Sequence, residues 1–68
     1  MESVYKIIEI IGSSEKSWED AAKTAIELAS KTLKELRVAE VRELDISLDE
    51  KGKMTYRAKM KLSFKYTE

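Results

Sequence analysis

The sequence predicts an α+β domain in the order β-α-β-β, a three-stranded antiparallel sheet with one helix packed on one face. Three observations lead there. Residues 54–66 alternate apolar and polar without a slip, from Met54, Tyr56 and Ala58 to Phe64 and Tyr66 on one parity, with Thr55, Arg57, Lys59, Lys61, Ser63 and Lys65 on the other. This is the period of a strand with two unlike faces. Trp18, Ala22, Ala25, Ile26, Ala29, Leu33 and Leu36 recur at intervals of three and four, which lines up one face of a helix. Between residues 43 and 59, opposite charges and apolar residues match across a short turn, the signature of a β-hairpin.

In chain order, Val4-Tyr5-Lys6-Ile7-Ile8-Glu9-Ile10-Ile11 is β-branched and apolar on both parities apart from Lys6 and Glu9, and reads as a strand covered on both faces. Gly12 is expected to end it. Ser17 with Asp20 resembles a capping box, and Glu19 and Asp20 suit the positive end of the helix dipole. The helix begins there. Its apolar stripe runs as far as Leu36, Lys31, Lys34 and Arg37 fall where cations suit its C-terminus, and Glu19, Lys23, Glu27, Lys31 and Glu35 mark the face turned to water. Three alanines on the inner face allow a close approach to the sheet.

The second strand is expected from Val38 or Ala39 to Leu48. Ala39 and Val41 share one parity while Leu44, Ile46 and Leu48 share the other, so a β-bulge is placed near Arg42 and Glu43. A three-residue loop, Glu50-Lys51-Gly52, with Asp49 facing Lys53, puts Gly52 at the left-handed position. Facing residues are then Ile46 with Tyr56, Leu44 with Ala58, Ser47 with Thr55, Asp45 with Arg57 and Glu43 with Lys59. The polar face of the sheet collects Tyr5 or Lys6, Glu9, Glu43, Asp45, Arg57, Lys59 and Lys61. No element of the chain remains to cover it.

The 68 residues amount to one domain, and a chain of this length hides only about 60% of its unfolded surface. With no Cys and no His, neither disulfides nor a structural zinc site can staple it. Self-association is the remaining remedy, and a strand about twice the usual ~5–6 residues offers a surface for it. Thirteen basic residues balance thirteen acidic ones, which argues against a general nucleic-acid binder. The apolar runs are too short to span a bilayer and the N-terminus lacks a signal-peptide pattern, so the expectation is a cytoplasmic protein with no membrane partner.

No nucleophile–base pair can be argued, since there is no His and no Cys and the serines lie in a cap or on the polar sheet face, which argues against an enzyme. Arg57, Lys59, Lys61 and Lys65 form a basic strip suited to phosphate, but the first two have acidic register partners, and paired charges on a sheet explain them as well. Glu43 and Asp45 project from one strand face, and Asp49 lies in the following turn. Carboxylate oxygens suit a hard cation such as Ca²⁺, yet they fall short of its usual ~6–8 ligands without water or other subunits. Simple salt bridges are the competing reading. Trp18 could stack on an aromatic ligand, but its phase with Ala22 and Ala25 favours core packing.

Four stretches carry a family resemblance: residues 4–14 (Val-Tyr-Lys-Ile-Ile-Glu-Ile-Ile-Gly-Ser-Ser), Ser17-Trp18-Glu19-Asp20-Ala21-Ala22, Ser30-Lys31-Thr32-Leu33 and Lys61-Leu62-Ser63-Phe64-Lys65. They resemble the dodecins in the same order and over nearly the whole chain. The resemblance implies a hollow homododecamer that binds a small ligand or ion, often flavin, as a storage or scavenging device. The stacking Trp of flavin-binding members corresponds to Val38 here, and their ring-binding Gln to Arg57. Flavin binding is therefore not expected. Arg37-Val38-Ala39, Glu43-Leu44-Asp45 and residues 52–57 are more similar to a branch called calcium dodecin, which implies the same shell with Ca²⁺. The candidate metal ligands, chosen on chemistry alone, are Glu43, Asp45 and Asp49. A flavin binder with an altered pocket and a purely structural oligomer are the alternatives.

Overall fold

The computed structural model describes residues 2–66. The alternating strand is the middle of the sheet: β3 (Met54–Lys65) lies between β1 (Tyr5–Ser14) and β2 (Leu36–Leu48), antiparallel to both, with α1 (Trp18–Thr32) following β1 in the chain. The expected β-α-β-β order and antiparallel sheet are present. The helix packs on β1 and β3 and barely touches β2. The core is correspondingly small: Ala21, Ala58, Met60 and Leu62 are buried, with Ile8, Ile10, Ala22, Ala25, Ile26, Ala29 and Leu36 packed around them.

The hairpin has the expected register. Ile46 faces Tyr56, Asp45 faces Arg57 and Glu43 faces Lys59. Gly52 adopts φ +80°, the left-handed region that costs a Cβ-bearing residue energy. Gly52 N–H donates to the Asp49 carbonyl at 3.0 Å and Asp49 N–H to the Lys53 carbonyl at 3.1 Å. The bulge falls at Arg42, between Val41 paired with Met60 and Glu43 paired with Lys59. A second irregularity lies at Arg37, between Leu36 and Val38, and the parity argument passed over it because the strand begins earlier than expected.

Three sequence expectations are corrected here. Gly12 does not end β1, which continues to Ser14 with Gly12 paired to Ala58. Its role is proximity: a Cβ at Gly12 would run into the main-chain carbonyl of Ala21 and sit 2.8 Å from the Ala25 Cβ. The helix stops at Thr32, where Leu33 N–H donates to the Ala29 carbonyl at 2.8 Å. Glu35 at φ 56° then turns the chain into β2. Leu36 is therefore a strand residue opposite Phe64, and Lys34 and Arg37 lie beyond the helix. Finally, β1 is covered on one face only, since Ile7 and Ile11 are 60% and 58% exposed.

The capping box is half formed. Ser17 Oγ accepts from Asp20 N–H at 3.0 Å, while the Asp20 carboxylate accepts from Ser14 Oγ at 2.7 Å instead of reaching back to the cap. An Asp side chain is one methylene shorter than the Glu that usually closes the box. The buried helix residue is Ala21, absent from the stripe read off the sequence, and it meets the Gly12 backbone.

Candidate functional site on the open sheet face

Strand pairing puts a defined lattice of charge on the face away from the helix. Its middle column is Arg57, Lys59 and Lys61 of β3. On the β2 side these residues face Asp45, Glu43 and Glu40 in turn, and on the β1 side Ser13, Ile11 and Glu9. Tyr5, paired with Lys65, belongs to this face and Lys6 does not. Glu40 joins this face because the bulge at Arg42 puts it in phase with Glu43, a consequence that the expected bulge already contained but that the expected polar face left out. Beyond Lys61 the face turns apolar, with Ile7 and Val38 on either side of Ser63.

Asp45 is the best-held group on this face. Arg57 Nε and Nη2 each donate to one of its carboxylate oxygens at 2.7 Å, a bidentate geometry. Lys59 Nζ lies 3.6 Å from Asp45 Oδ2, so the ammonium reaches diagonally past its register partner Glu43. Hydrogen bonds from Arg57 hold the Asp45 carboxyl below its usual value against some desolvation, and the Arg57 and Lys59 charges add to the effect. The bond to Asp45 likewise raises the Arg57 guanidinium. A depressed carboxylate stabilises the fold above its unfolded value of about 3.9, and the contribution is lost as pH falls through the lower folded value. The pair is thus fully charged at neutral pH.

The other candidate residues are separate from this pair. Glu43 makes no ion pair among the described residues. Asp49 Oδ1 accepts from Lys51 N–H at 2.8 Å and Lys53 N–H at 2.9 Å, which closes the turn. No group of three or more metal-ligating side chains occurs among the described residues. Glu43 and Asp45 therefore offer the right oxygen chemistry for a hard cation, but one chain supplies too few ligands.

Val38 lies on the open face at the apolar end, 57% exposed, while Arg57 sits toward the hairpin end and is already engaged by Asp45. The two flavin positions thus do not converge within one chain. Trp18 has the packing role: its ring meets Tyr56 edge-on at 5.1 Å, and its indole N–H donates to the Asp45 carbonyl at 3.0 Å. No helix of the described residues is long and apolar enough to cross a membrane.

Two apolar surfaces remain without partners. On the helix side of β2, Val41, Leu44, Ile46 and Leu48 form an uncovered row, with Leu44 50% exposed. Along the outer edge of β1, a groove of about 570 Å³ is lined by Ile8, Ile10, Ala25, Leu28 and Leu33.

The fold and this face define a small strand–helix–strand–strand module whose charged sheet surface has no cover from the described residues of its own chain. The chain belongs to the dodecin family, whose sequence model matches residues 4–67. It is 51% identical over 63 residues to the calcium dodecin of Mycobacterium tuberculosis, covering 93% of this chain and 89% of that one. It is 35% identical over 68 residues to the dodecin of Thermus thermophilus, covering 100% and 99%. The crystal structure of the M. tuberculosis calcium dodecin, described as calcium-chelating with a novel calcium-binding site, superposes with a TM-score of 0.88 at 49% identity, covering 96% of this chain and 93% of that one. Dodecin from Streptomyces davaonensis superposes with a TM-score of 0.89 at 28% identity over the full length of both chains.

Proposed function

We propose that this protein is a non-enzymatic, cytoplasmic dodecin that closes into a hollow homododecamer and binds or sequesters calcium on the open sheet faces. The observation that carries the reading is the pair of carboxylates, Glu43 and Asp45, on a sheet face that its own chain leaves uncovered. The 51% identity to a calcium dodecin supports the choice of ion. Assembly is supported by a core of four buried residues among those described, which leaves a 68-residue chain folded but only marginally stable alone, and by the unpartnered row on β2 and groove beside β1. A row on one copy and a groove on another make a head-to-tail contact, which closes a ring when its rotation divides the circle. Copies brought together in this way would supply the calcium ligands that one chain lacks, with Asp49 contributing through the carboxylate oxygen its turn does not use.

Calcium that binds the folded state raises its melting temperature by mass action. The protein is expected to melt higher in millimolar Ca²⁺ than in EDTA, with the difference reduced in Glu43→Gln and Asp45→Asn. Identical curves for the unmodified protein in both buffers would refute calcium binding.

Flavin is disfavoured by the same face. Val38 has no aromatic plane for an isoalloxazine ring, and Arg57 carries donors only and is held by Asp45. Losing the stacking alone, worth ~0.5–1.5 kcal/mol, corresponds to about ten-fold in affinity at its upper end. A flavin-fluorescence titration is expected to show no submicromolar binding of riboflavin or FMN.

A further inference from the structure

Cross-strand pairing on the open face sets two charged columns side by side. Asp45, Glu43 and Glu40 follow one another along β2, and Arg57, Lys59 and Lys61 stand beside them at the same levels on β3. Uncharged residues end the columns, Val38 with Ser63 on one side and Ser47 with Thr55 on the other. Contacts within the chain use this pattern incompletely. Arg57 and Lys59 both turn to Asp45, so Glu43 makes no ion pair among the described residues, and neither does Lys61 although Glu40 and Glu9 flank it.

We infer that the open face is covered by the same face of a second copy, stacked about a two-fold axis that runs along the strands between the two columns. Rotation about that axis keeps every level in place and exchanges the columns, so β2 of one copy lies over β3 of the other. Glu43 of each copy then faces Lys59 of the other, Glu40 faces Lys61, and Val38, exposed at the end of the acidic column, is covered by the same overlap. Stacked sheets lie about 10 Å apart, a gap that a Lys and a Glu reaching toward each other close. An axis running across the strands would instead set acid on acid and base on base, which like-charge repulsion forbids. The pattern therefore fits itself in one orientation. Resting on the assembly part of the proposed function and not on its ion, this contact has a definite place in the shell. The row-to-groove ring uses the helix side of β2 and the outer edge of β1, and leaves the open faces bare. Joining rings into a closed shell takes a second contact, and a self-complementary patch is what a two-fold contact requires.

Charge reversal at the central level, read by sedimentation velocity at micromolar concentration, tests the contact. Glu43→Lys places two cations at that level and Lys59→Glu two anions, so like charges meet when either variant stacks on itself. Each is expected to lose the species of dodecamer mass and to keep the far-ultraviolet circular dichroism spectrum of the unmodified protein. The two variants, unfolded and refolded together one-to-one alongside the unmodified protein, should recover that species, because cations of one chain then lie over anions of the other. Every chain in the mixture still carries its own like-charge pair, so recovery reports a contact between copies and no repair within one. Glu40→Lys and Lys61→Glu run the same test one level along if a central variant fails to fold.

Variants that sediment with the unmodified protein would overturn the stacked contact and leave the shell intact. Dissociation of each variant without recovery in the mixture would overturn it too, since the loss would then arise within the chain. An unmodified protein that sediments as a dimer, lost in each variant and regained in the mixture, would support the contact and refute the shell. A monomeric unmodified protein would refute both.

Discussion

Replacing Gly12 with alanine is expected to destabilise the fold by about 2–3 kcal/mol, toward the upper end for overpacking a closed contact. The added Cβ would overlap the carbonyl of Ala21 and come within 2.8 Å of the Ala25 Cβ. The first obstacle is main chain, so no side-chain rotation relieves it. The helix would have to lift from β1, which exposes Ala21 and loosens the contacts of Ile8 and Ile10 with the core. For a domain of this size each kcal/mol lowers the melting temperature by ~4–8 °C, so the loss should be about 10–20 °C. Gly52→Ala is the informative contrast: it sits at φ +80° with nothing within 4 Å, so only backbone strain of about 1–2 kcal/mol is expected. Both variants must be melted at the same protein concentration, because assembly contributes to apparent stability. A Gly12→Ala protein no less stable than Gly52→Ala would refute the close-approach account.

Leu44→Glu is expected to break the assembly while leaving the subunit folded. Leu44 is half exposed on the helix side of β2, between Val41 and Ile46, and helix α1 scarcely reaches it. In an isolated chain a carboxylate there stays in water and costs little. At a contact between copies the same carboxylate would be buried without a partner, at a cost of several kcal/mol per copy. The proposed shell repeats that cost at every equivalent contact, so it should disassemble outright. Sedimentation velocity of the unmodified protein should give one large species of dodecamer mass, and the variant much smaller species with an unaltered far-ultraviolet circular dichroism spectrum. A variant that sediments with the parent would show that the β2 row is not an interface. A parent that sediments as a monomer or dimer at micromolar concentration would refute the shell itself.

Much of the charged sheet face is legible in the sequence, for local reasons. The hairpin is short-range: a left-handed glycine, a three-residue loop and alternating side chains specify which residues face each other. The pairings Asp45 with Arg57 and Glu43 with Lys59 followed directly, as did the bulge at Arg42. Contacts between real side chains did not follow. Register brings Lys59 opposite Glu43, yet its long flexible stem carries the ammonium to Asp45. Nor did the part Asp49 plays in its own turn, where one carboxylate oxygen accepts from Lys51 and Lys53 N–H.

By itself the sequence determined the element types, the hairpin register, the Ser17 cap and the two-faced character of β3, because each depends on periodicity or on residues a few positions apart. Tertiary structure alone decided the rest. Leu36 satisfies a helical stripe and a strand equally well, and its pairing with Phe64, with Lys65 N–H donating to the Glu35 carbonyl at 3.1 Å, assigns it to β2. Gly12 reads as a strand terminator until the backbone of Ala21 is seen against it. The central place of β3, and with it the column of cations flanked by carboxylates, depends on β1 pairing with a strand more than forty residues away in the chain. A long-range pairing of that kind is selected by the summed burial of a whole face, and no window of neighbouring residues contains that sum.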